Sequence, residues 1–468
     1  MSFTGTTSEQ ARPRRGDELT LKIDKLAFGG AGVARHGGYV VFVQGAIEGD
    51  TVRAVVGKAK RAYAEARVLE VLKPSPERIE PLAQHPGAPW QVLPYERQLE
   101  IKQEQVNDAL RRIGRLEGFE LEPAVPAVQQ WRYRNKLEYS FGKDAAGRLI
   151  CGFHAPGRWE DILEVTDCLL ASEAANQARE AIVSWCRGAG LEPYDRRTGS
   201  GFLRNLVVRE GRRSGELQAR LVTSPAAAAG DAFDPEQLAA SAAQLSAAAG
   251  PLAGLLWTQI DGVGETTAGG RTELLFGVER IEERLSGLEF SISAEAFFQT
   301  NTEMAEELYA LAVSYAGLKG YERLYDLFCG IGTIGLLMAP RAAELWGLEI
   351  VESAITDAIA NARRNEIDNA RFFAGDVRLA LRELVEKAGK PDVLVVDPPR
   401  AGLSQKVVRR IIEASPKRIV YVSCNPTTLA PNAAQLVEAG YRLNKVRPVD
   451  MFPQTPHIEC VAQLERTA

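Results

Sequence analysis

The sequence contains no run of about 18 consecutive apolar residues, so no membrane-spanning helix is expected. Its six cysteines, Cys151, Cys168, Cys186, Cys329, Cys424 and Cys460, form no CxxC pair. That spacing suits neither a disulfide framework nor a zinc site, and free thiols fit a reducing, cytoplasmic setting. Histidine is scarce, with four in 468 residues, and no metal centre is expected. An excess of positive charge is also missing: 56 Lys and Arg stand against 61 Asp and Glu, for a net charge of -5. This excludes a chain that is basic all over, as a nucleic-acid coat would be, but not a local basic track. There is no GxxxxGK(S/T) phosphate loop, and no GxGxxG followed by a dehydrogenase pattern, which disfavours nucleoside-triphosphate and nicotinamide chemistry. Residues Met1–Arg15 are polar, lack the apolar core of a secretory signal and read as a disordered lead-in.

What is present is an ordinary globular composition, 45% hydrophobic and 25% charged. The length allows roughly two to four domains. Residues 16–73 alternate apolar and polar positions in short runs, Leu19–Ile23, Tyr39–Val43, Thr51–Val56 and a last one near 64–72, separated by glycines. Several short strands in so few residues predict a small β-barrel. Residues 74–290 read as a central α+β domain, with a helix over 95–114 that packs on the catalytic domain and a nearly low-complexity Ala-rich stretch, 226–250. From 291 to 468 apolar strands alternate with helices: Leu324–Phe328, Glu344–Leu348, Arg371–Phe373, Val393–Val396 and Arg418–Val422. This pattern predicts a parallel sheet with crossover helices, an α/β domain.

The first of these strands runs into Asp326-Leu327-Phe328-Cys329-Gly330-Ile331-Gly332, and glycines at that point let a backbone pass close to a ligand. Glu349 ends the second strand, 17 residues after Gly332, where a carboxylate can accept from both hydroxyls of a ribose. Asp376 follows the third strand and Asp397 the fourth, within Asp397-Pro398-Pro399-Arg400. Any one of these acids could be a helix cap, but four strands in register each ending in an acid mark the rim where open α/β sheets bind ligands. The arrangement resembles the Rossmann-like methyltransferases that bind S-adenosylmethionine.

The fifth strand ends in Ser423-Cys424-Asn425-Pro426. Cys424 therefore sits at a strand tip beside the ligand rim, a position that favours a reactive thiolate over a buried structural thiol. Near the C-terminus, Phe452-Pro453-Gln454-Thr455-Pro456-His457-Ile458-Glu459 delivers His457 and Glu459 to the start of a strand, on one face. A carboxylate in a closed cleft can act as a general base.

With Gln299 in Phe297-Phe298-Gln299-Thr300-Asn301, these motifs closely resemble the bacterial RNA uracil-5-methyltransferases, which act on 23S ribosomal RNA or on the T-loop of transfer RNA. The resemblance covers most of the chain and rests on five separated elements in the family's order. It implies a multidomain enzyme with an N-terminal TRAM barrel of the OB-like kind, a central α+β domain and a C-terminal Rossmann-like class I methyltransferase domain. It implies S-adenosylmethionine as cofactor, held by Gln299, Phe328, the Gly330 loop, Glu349, Asp376 and Asp397, with Cys424 as nucleophile and Glu459 as base. In that chemistry the Cys424 thiolate adds to carbon 6 of uracil, carbon 5 takes the methyl group, and Glu459 removes the proton that carbon 5 still carries. The base must leave its stack to reach such a site. Arg400 and Asn425 are candidates to polarise the uracil carbonyls.

The sequence departs from the family at one place. Many members carry a four-cysteine iron–sulfur cluster after the barrel, and here the matching stretch is His85-Pro86-Gly87-Ala88-Pro89-Trp90. Only Cys168 matches a remaining ligand, and one thiol cannot hold a cluster that takes four, so no cluster is expected. Packing by Pro89 and Trp90 is expected in its place. The segment Trp131-Arg132-Tyr133-Arg134-Asn135-Lys136-Leu137-Glu138-Tyr139-Ser140 reads as an aromatic and basic strand whose Arg132, Arg134, Asn135 and Lys136 contact RNA while the aromatics stack on splayed bases. The alternative for those aromatics is the core. A monomer acting on RNA is expected, with 23S ribosomal RNA favoured over transfer RNA because of the TRAM domain. Two other readings compete. An amino-group methyltransferase would use Asp397-Pro398-Pro399, but Arg400 stands where its aromatic belongs and an amine needs no cysteine. A catalytically idle RNA-binding factor is opposed by Cys424 and Glu459.

Overall fold

The computed structural model describes residues 12–249, 252–264 and 266–467. Residues 1–11 of the expected disordered lead-in lie outside the described residues, as does Gly250 of the Ala-rich stretch. The chain divides into two compact units. One holds the residues up to Gln105 together with Phe452–His457, and the other holds Val106–Met451 and Ile458 onward.

The first unit is built on a six-stranded sheet. Its order is Glu18–Lys22, Thr51–Ala59, Tyr63–Lys73, Tyr39–Gln44, Gly32–His36 and Lys25–Leu26. The two edge strands, Glu18–Lys22 and Lys25–Leu26, are consecutive in the chain and only Ile23 and Asp24 lie between them. The sheet must therefore curl until its ends meet, which makes it a barrel. Alternation along each strand fills the inside with small branched and Ala side chains: Leu21, Ile23, Val41, Val43, Val52, Val56 and Ala64. The expected runs appear as strands, and Gly32–His36 and Lys25–Leu26 are additional. These two are short, and the glycine turns around them hid their alternation.

Beyond the barrel, Trp90 packs with Leu26, Ile47, Leu93 and Ile101. The Lys102 ammonium lies 5.7 Å from the Trp90 ring. The Gln98 amide donates to the carbonyls of Trp90 and Leu93, both at 3.0 Å, and to Gln454 Oε1 at 2.8 Å. Apolar packing and a buried amide thus hold the stretch that lacks the two cluster cysteines.

In the second unit, residues 109–113 continue the helix Tyr95–Asp108 as a single π-turn. Val106, Ala109 and Leu110 join the core around Leu429, Ala433 and Leu436. The central part is a seven-stranded sheet in the order Arg158–Glu164, Leu149–Ala155, Lys136–Lys143, Leu203–Glu210, Leu217–Thr223, Leu252–Gln259 and Arg271–Gly277. The helix Pro235–Ala249, from the Ala-rich stretch, crosses between the one parallel pair, Leu217–Thr223 and Leu252–Gln259. It buries Leu238 and Ala242.

The aromatic and basic strand needs correction. The strand begins at Lys136, because Arg132 takes φ +56°, a left-handed conformation that interrupts extended backbone. Tyr133 and Tyr139 are fully buried, so they pack in the core and present no ring to a base.

The C-terminal sheet has eight strands in the order Ala370–Ala374, Glu344–Glu349, Arg323–Leu327, Val393–Val396, Arg418–Ser423, Glu459–Arg466, Tyr441–Val449 and Glu120–Leu121. The first five are parallel. Their near-continuous apolar runs are what burial on both faces by helices requires. The strand Glu459–Arg466 then enters antiparallel between Arg418–Ser423 and Tyr441–Val449.

One charge anchors the first unit. Asp50, fully buried, accepts from the N–H of Ile47 and of Ser75, both at 2.9 Å, and from the Arg78 guanidinium at 2.6 Å. Burial alone would push its carboxyl up, but Arg78 and the two N–H donors outweigh it and hold the group below its ordinary 3.8. The contribution is therefore full above that value and declines as the pH falls through the lower folded value. Asp50→Ala is expected to destabilise the barrel by about 3 kcal/mol, because it strands Arg78 and two N–H groups. Urea denaturation at neutral pH measures this, and a loss below about 0.5 kcal/mol would remove Asp50 as an anchor.

Candidate active site

The loop after Arg323–Leu327 is held open by backbone geometry. Phe328 takes φ +63°, Gly330 φ +54° and Gly332 φ +87°. A non-glycine residue in this region costs about 1–2 kcal/mol. Phe328 is kept there by its N–H, which donates to Leu348 O at 2.9 Å. Gly330 has open space where a side chain would stand, and its N–H donates to Glu349 Oε2 at 3.3 Å. The other oxygen of Glu349 accepts from Ile350 and Val351 N–H at 2.8 and 3.0 Å. Ile350, just past the second strand, is an exposed apolar side chain on the rim, whereas Phe373 on the third strand stacks on Trp346 at 5.5 Å.

Beneath this loop lies Asp326, which is fully buried. Its Oδ2 accepts from Gly335 N–H at 2.9 Å, and its Oδ1 has no partner among the described residues. Burial, opposed by the Gly335 N–H and reinforced by Asp397 and Glu349, pushes its carboxyl up to about 8. Asp376 is engaged differently. It caps the helix Val377–Ala388 through Arg378 N–H at 2.9 Å and pairs with the Arg378 guanidinium, which holds its carboxyl below the usual range.

Gln299 lies in the loop between Leu288–Ser293 and the helix Thr302–Ala316. The backbone there is fixed from several sides. Asn135 Nδ2 donates to Gln299 O and to Thr302 Oγ1, both at 2.8 Å, and Asn301 caps the helix while donating to Met451 O at 2.9 Å. The Gln299 side chain lies close to the Tyr309 hydroxyl and favours its ionised form, and that hydroxyl accepts from Thr333 Oγ1 at 3.4 Å. Tyr309 is almost fully buried and feels the charges of Asp397 and Glu459. Sequence reasoning missed Tyr309, and it counted Asp326 among the acids at the strand ends without giving it a contact. A tyrosine inside a helix carries no local sign that it faces a cleft.

The register of the antiparallel strand brings the remaining groups together. Ser423 pairs with Cys460, so the next position on each strand sets Cys424 beside Glu459. Directly opposed residues in such a pair lie about 5 Å apart. Asp397 faces both charges from the neighbouring strand end. Burial, with Glu459 and Asp397 adding to it and Arg400 opposing, pushes the Cys424 thiol up to about 12. Burial and Asp397 likewise raise Glu459 well above the usual carboxylate range, against Arg400, and burial pushes Asp397 up to about 7. Asn425 caps the helix Pro426–Glu438 and donates to Arg400 O at 3.1 Å. Asn432, buried, binds both N–H and C=O of Leu403 and the Tyr421 hydroxyl, which fixes the loop that carries Arg400.

The expected RNA-contacting residues have protein partners. Arg132 pairs with Asp167 at 2.8 Å and donates to the carbonyls of Cys168 and Ala171. Asn135 is buried against the Gln299 loop, and Lys136 pairs with Glu138 at 2.7 Å. Arg134 is partly buried beside Tyr133. His457 belongs to the other unit, where its ring lies edge-on to Phe452. Among the described residues no group of three His, Cys, Asp or Glu is placed to hold a metal ion, and no helix is long and apolar enough to cross a membrane.

Residues 269–467 match the family model described as tRNA (Uracil-5-)-methyltransferase, and residues 12–69 match the TRAM domain. An uncharacterized RNA methyltransferase of Caldanaerobacter subterraneus is 37% identical over 457 residues, covering 97% of this chain and 100% of its own. The chain belongs to the RNA (uracil-5-)-methyltransferase family. A second uncharacterized RNA methyltransferase, from Chlorobaculum tepidum, is 37% identical and covers 99% of each chain. Among solved structures, the tRNA (uracil-54, C5)-methyltransferase of Pyrococcus abyssi in complex with S-adenosyl-L-homocysteine superposes with a TM-score of 0.74. It is 28% identical and covers 96% of this chain and 100% of its own. As an RNA (uracil-5-)-methyltransferase, this enzyme carries Cys424 as its one partly exposed cysteine among the described residues.

That exposure makes the thiol directly measurable. Arg400 is the positive group that opposes its raised value. Arg400→Ala is expected to slow iodoacetamide labelling of Cys424 severalfold at pH 8.5 and to shift the labelling curve to higher pH. An unchanged labelling curve would remove Arg400 from the electrostatics of the thiol.

Proposed function

We propose that this enzyme methylates carbon 5 of a uridine in RNA with S-adenosylmethionine, through a covalent adduct on Cys424. The observation that carries the reading is the cross-strand placement of Cys424 beside Glu459, next to Asp397, at the carboxyl edge of the sheet.

The residues at the rim fit the cofactor. Gly330 leaves its backbone open to close approach, Glu349 Oε2 keeps a lone pair for a ribose hydroxyl, and Ile350 offers apolar surface for an adenine ring. At the same place, Asp326 Oδ1 is a buried polar atom with no partner among the described residues. Gln299, on a loop held by Asn135, and Asp397 complete the cradle, with Phe328 beside the glycines. Asp376, turned to Arg378, contributes from the edge. Bound there, S-adenosylmethionine supplies an electrophilic methyl group on a positively charged sulfur.

The protein's own groups do the rest. The Cys424 thiolate adds to carbon 6 of the flipped uracil, and the electron pair of the ring double bond becomes available at carbon 5. After carbon 5 is methylated, the Glu459 carboxylate takes its remaining proton, the carbon 5–carbon 6 double bond re-forms and Cys424 leaves. Burial makes Glu459 a strong base once ionised, and it excludes water that would compete for the proton. Arg400 lies where it can offset the negative charge that develops.

Both acting groups work deprotonated and both are held above their ordinary values. We therefore expect kcat/KM to rise as the pH is raised from about 6 to about 9. Cys424→Ala is expected to lower methyl transfer at least about a thousandfold while RNA binding survives. Glu459→Gln is expected to accumulate RNA linked to protein through a bond that resists denaturant. Full turnover by Cys424→Ala would sink the covalent reading. Tyr309→Phe, which removes the hydroxyl beside the Gln299 side chain, is expected to raise the KM for S-adenosylmethionine with little change in kcat; equal values would leave Tyr309 as packing.

For the RNA, our reading is 23S ribosomal RNA, with the T-loop of transfer RNA as the second reading. The likeness to the Pyrococcus abyssi enzyme favours the second. Because that likeness covers 96% of this chain, it takes in most of the barrel, and a TRAM domain by itself does not separate the two. The experiment is incubation with labelled S-adenosylmethionine and each unmodified RNA in turn, followed by digestion to nucleosides. 5-Methyluridine from ribosomal RNA alone supports the first reading, the same product from transfer RNA alone supports the second, and methylated adenosine overturns both.

A further inference from the structure

A cavity of about 740 Å3 opens in the central domain, on a different sheet from the one that carries Cys424. Its size is that of a small-ligand site, ~300–1000 Å3. Its lining draws on four neighbouring strands, Arg158–Glu164, Leu149–Ala155, Lys136–Lys143 and Leu203–Glu210. Asn205 and Ser140 oppose each other across two of them. Asn205 Nδ2 donates to Ser140 Oγ at 3.2 Å, and the same hydroxyl lies 3.1 Å from His154 Nε2. Asn205 is only 6% exposed and lines the cavity. Its Oδ1 and its second amide hydrogen have no partner among the described residues.

One wall is a built loop. Asp195 N–H donates to Ser200 O at 2.7 Å, and Gly201 turns at φ +97°, where a Cβ would meet Pro193 O at 2.1 Å. Tyr194, in this loop, is stacked under the Arg204 guanidinium at 4.0 Å, and Arg204 is itself held by Gly262 O at 2.6 Å. At the rim stand Lys143, paired with Glu192, and Arg197, within 3.6 Å of both Glu160 and Asp195. Exposed pairs of this kind are weak and yield readily to a phosphate.

We infer that this cavity takes an unpaired nucleotide of the RNA substrate, distinct from the methylated uridine, with its base edge on the Asn205 carboxamide and its phosphate towards Lys143 and Arg197. The Asn205 carboxamide faces the cavity, where its unused acceptor and donor are open to a ligand. That acceptor and donor match the N6–H and N7 of adenine, which an Asn side chain pairs twice. Reading splayed bases on their edges is how proteins recognise single-stranded RNA. The near balance of acids and bases around the rim disfavours a general anion trap, so the base rather than the phosphate carries the selectivity. The choice of RNA as ligand rests on the function proposed above, whereas the chemistry of the cavity does not depend on methyl transfer.

Two measurements on the full chain test this. In ligand-observed NMR, AMP is expected to bind, UMP more weakly, and inorganic phosphate not at all. Asn205→Asp, which keeps the size but replaces the donor with a negative charge, is expected to abolish the AMP signal. In steady-state kinetics the same variant is expected to raise the KM for RNA about tenfold with kcat and the KM for S-adenosylmethionine unchanged. Arg197→Ala, at a side chain 70% exposed, should raise the KM for RNA severalfold without any risk to folding. Unchanged KM for RNA in both variants overturns the inference. AMP binding that Asn205→Asp removes, without any change in the KM for RNA, assigns the cavity to a free nucleotide and overturns RNA as its source. Equal binding of UMP overturns the base assignment. Should the wild-type protein methylate neither RNA, the proposed reaction fails, but the AMP titration still decides the cavity.

Discussion

The insertion of one antiparallel strand, Glu459–Arg466, between Arg418–Ser423 and Tyr441–Val449 is the constraint on which the site depends. Five parallel strands alone would leave Cys424 at a strand end with no partner across from it. The inserted strand runs the other way, so its first residue, not its last, reaches the carboxyl edge. Its register pairs Ser423 with Cys460 and thereby sets Glu459 against Cys424. A slip of one residue would turn Glu459 to the opposite face of the sheet.

That placement gathers a thiol and several carboxyl groups where water is excluded. Burial raises Cys424, Glu459, Asp397 and Asp326 together, and their mutual repulsion adds to the effect at all but Asp397. A site of this kind is unfavourable for negative charge and favourable for a cation. The sulfonium of the proposed cofactor and the Arg400 guanidinium are the two positive groups that suit it. The free energy stored in these raised values is the reason the groups are good bases and nucleophiles once ionised. The cost is borne by the surrounding hydrogen bonds, of which Asn135 to the Gln299 loop and Asn432 to Leu403 are the clearest.

The segment 131–136 shows how a local reading and a tertiary one diverge. Alternating aromatic and basic residues suggested an exposed strand that meets RNA. In the fold, Tyr133 enters the core, Asn135 braces Gln299, and Arg132 closes a turn through Asp167. The same residue types that suit stacking and phosphate contact also suit a buried ring and a bridging amide, and burial is decided by partners far away in the chain. The cavity on the central sheet had no counterpart in the sequence reading, because Asn205, Ser140 and His154 come from three strands with no common motif.

The sequence by itself determined much: the curled barrel of short alternating strands, the parallel sheet of apolar runs, the family, and the candidates Cys424, Glu459, Gln299, Glu349 and Asp397. These were legible because strand period, glycine placement and acids at strand ends are local signals, repeated often enough to be specific. Only the tertiary structure decided that Cys424 and Glu459 oppose each other, that Tyr309 lies beside Gln299, that Asp326 Oδ1 has no partner among the described residues, and that Asp376 turns to Arg378. Strand register, helix rotation and burial depend on contacts between residues tens to hundreds of positions apart, and no local pattern encodes them.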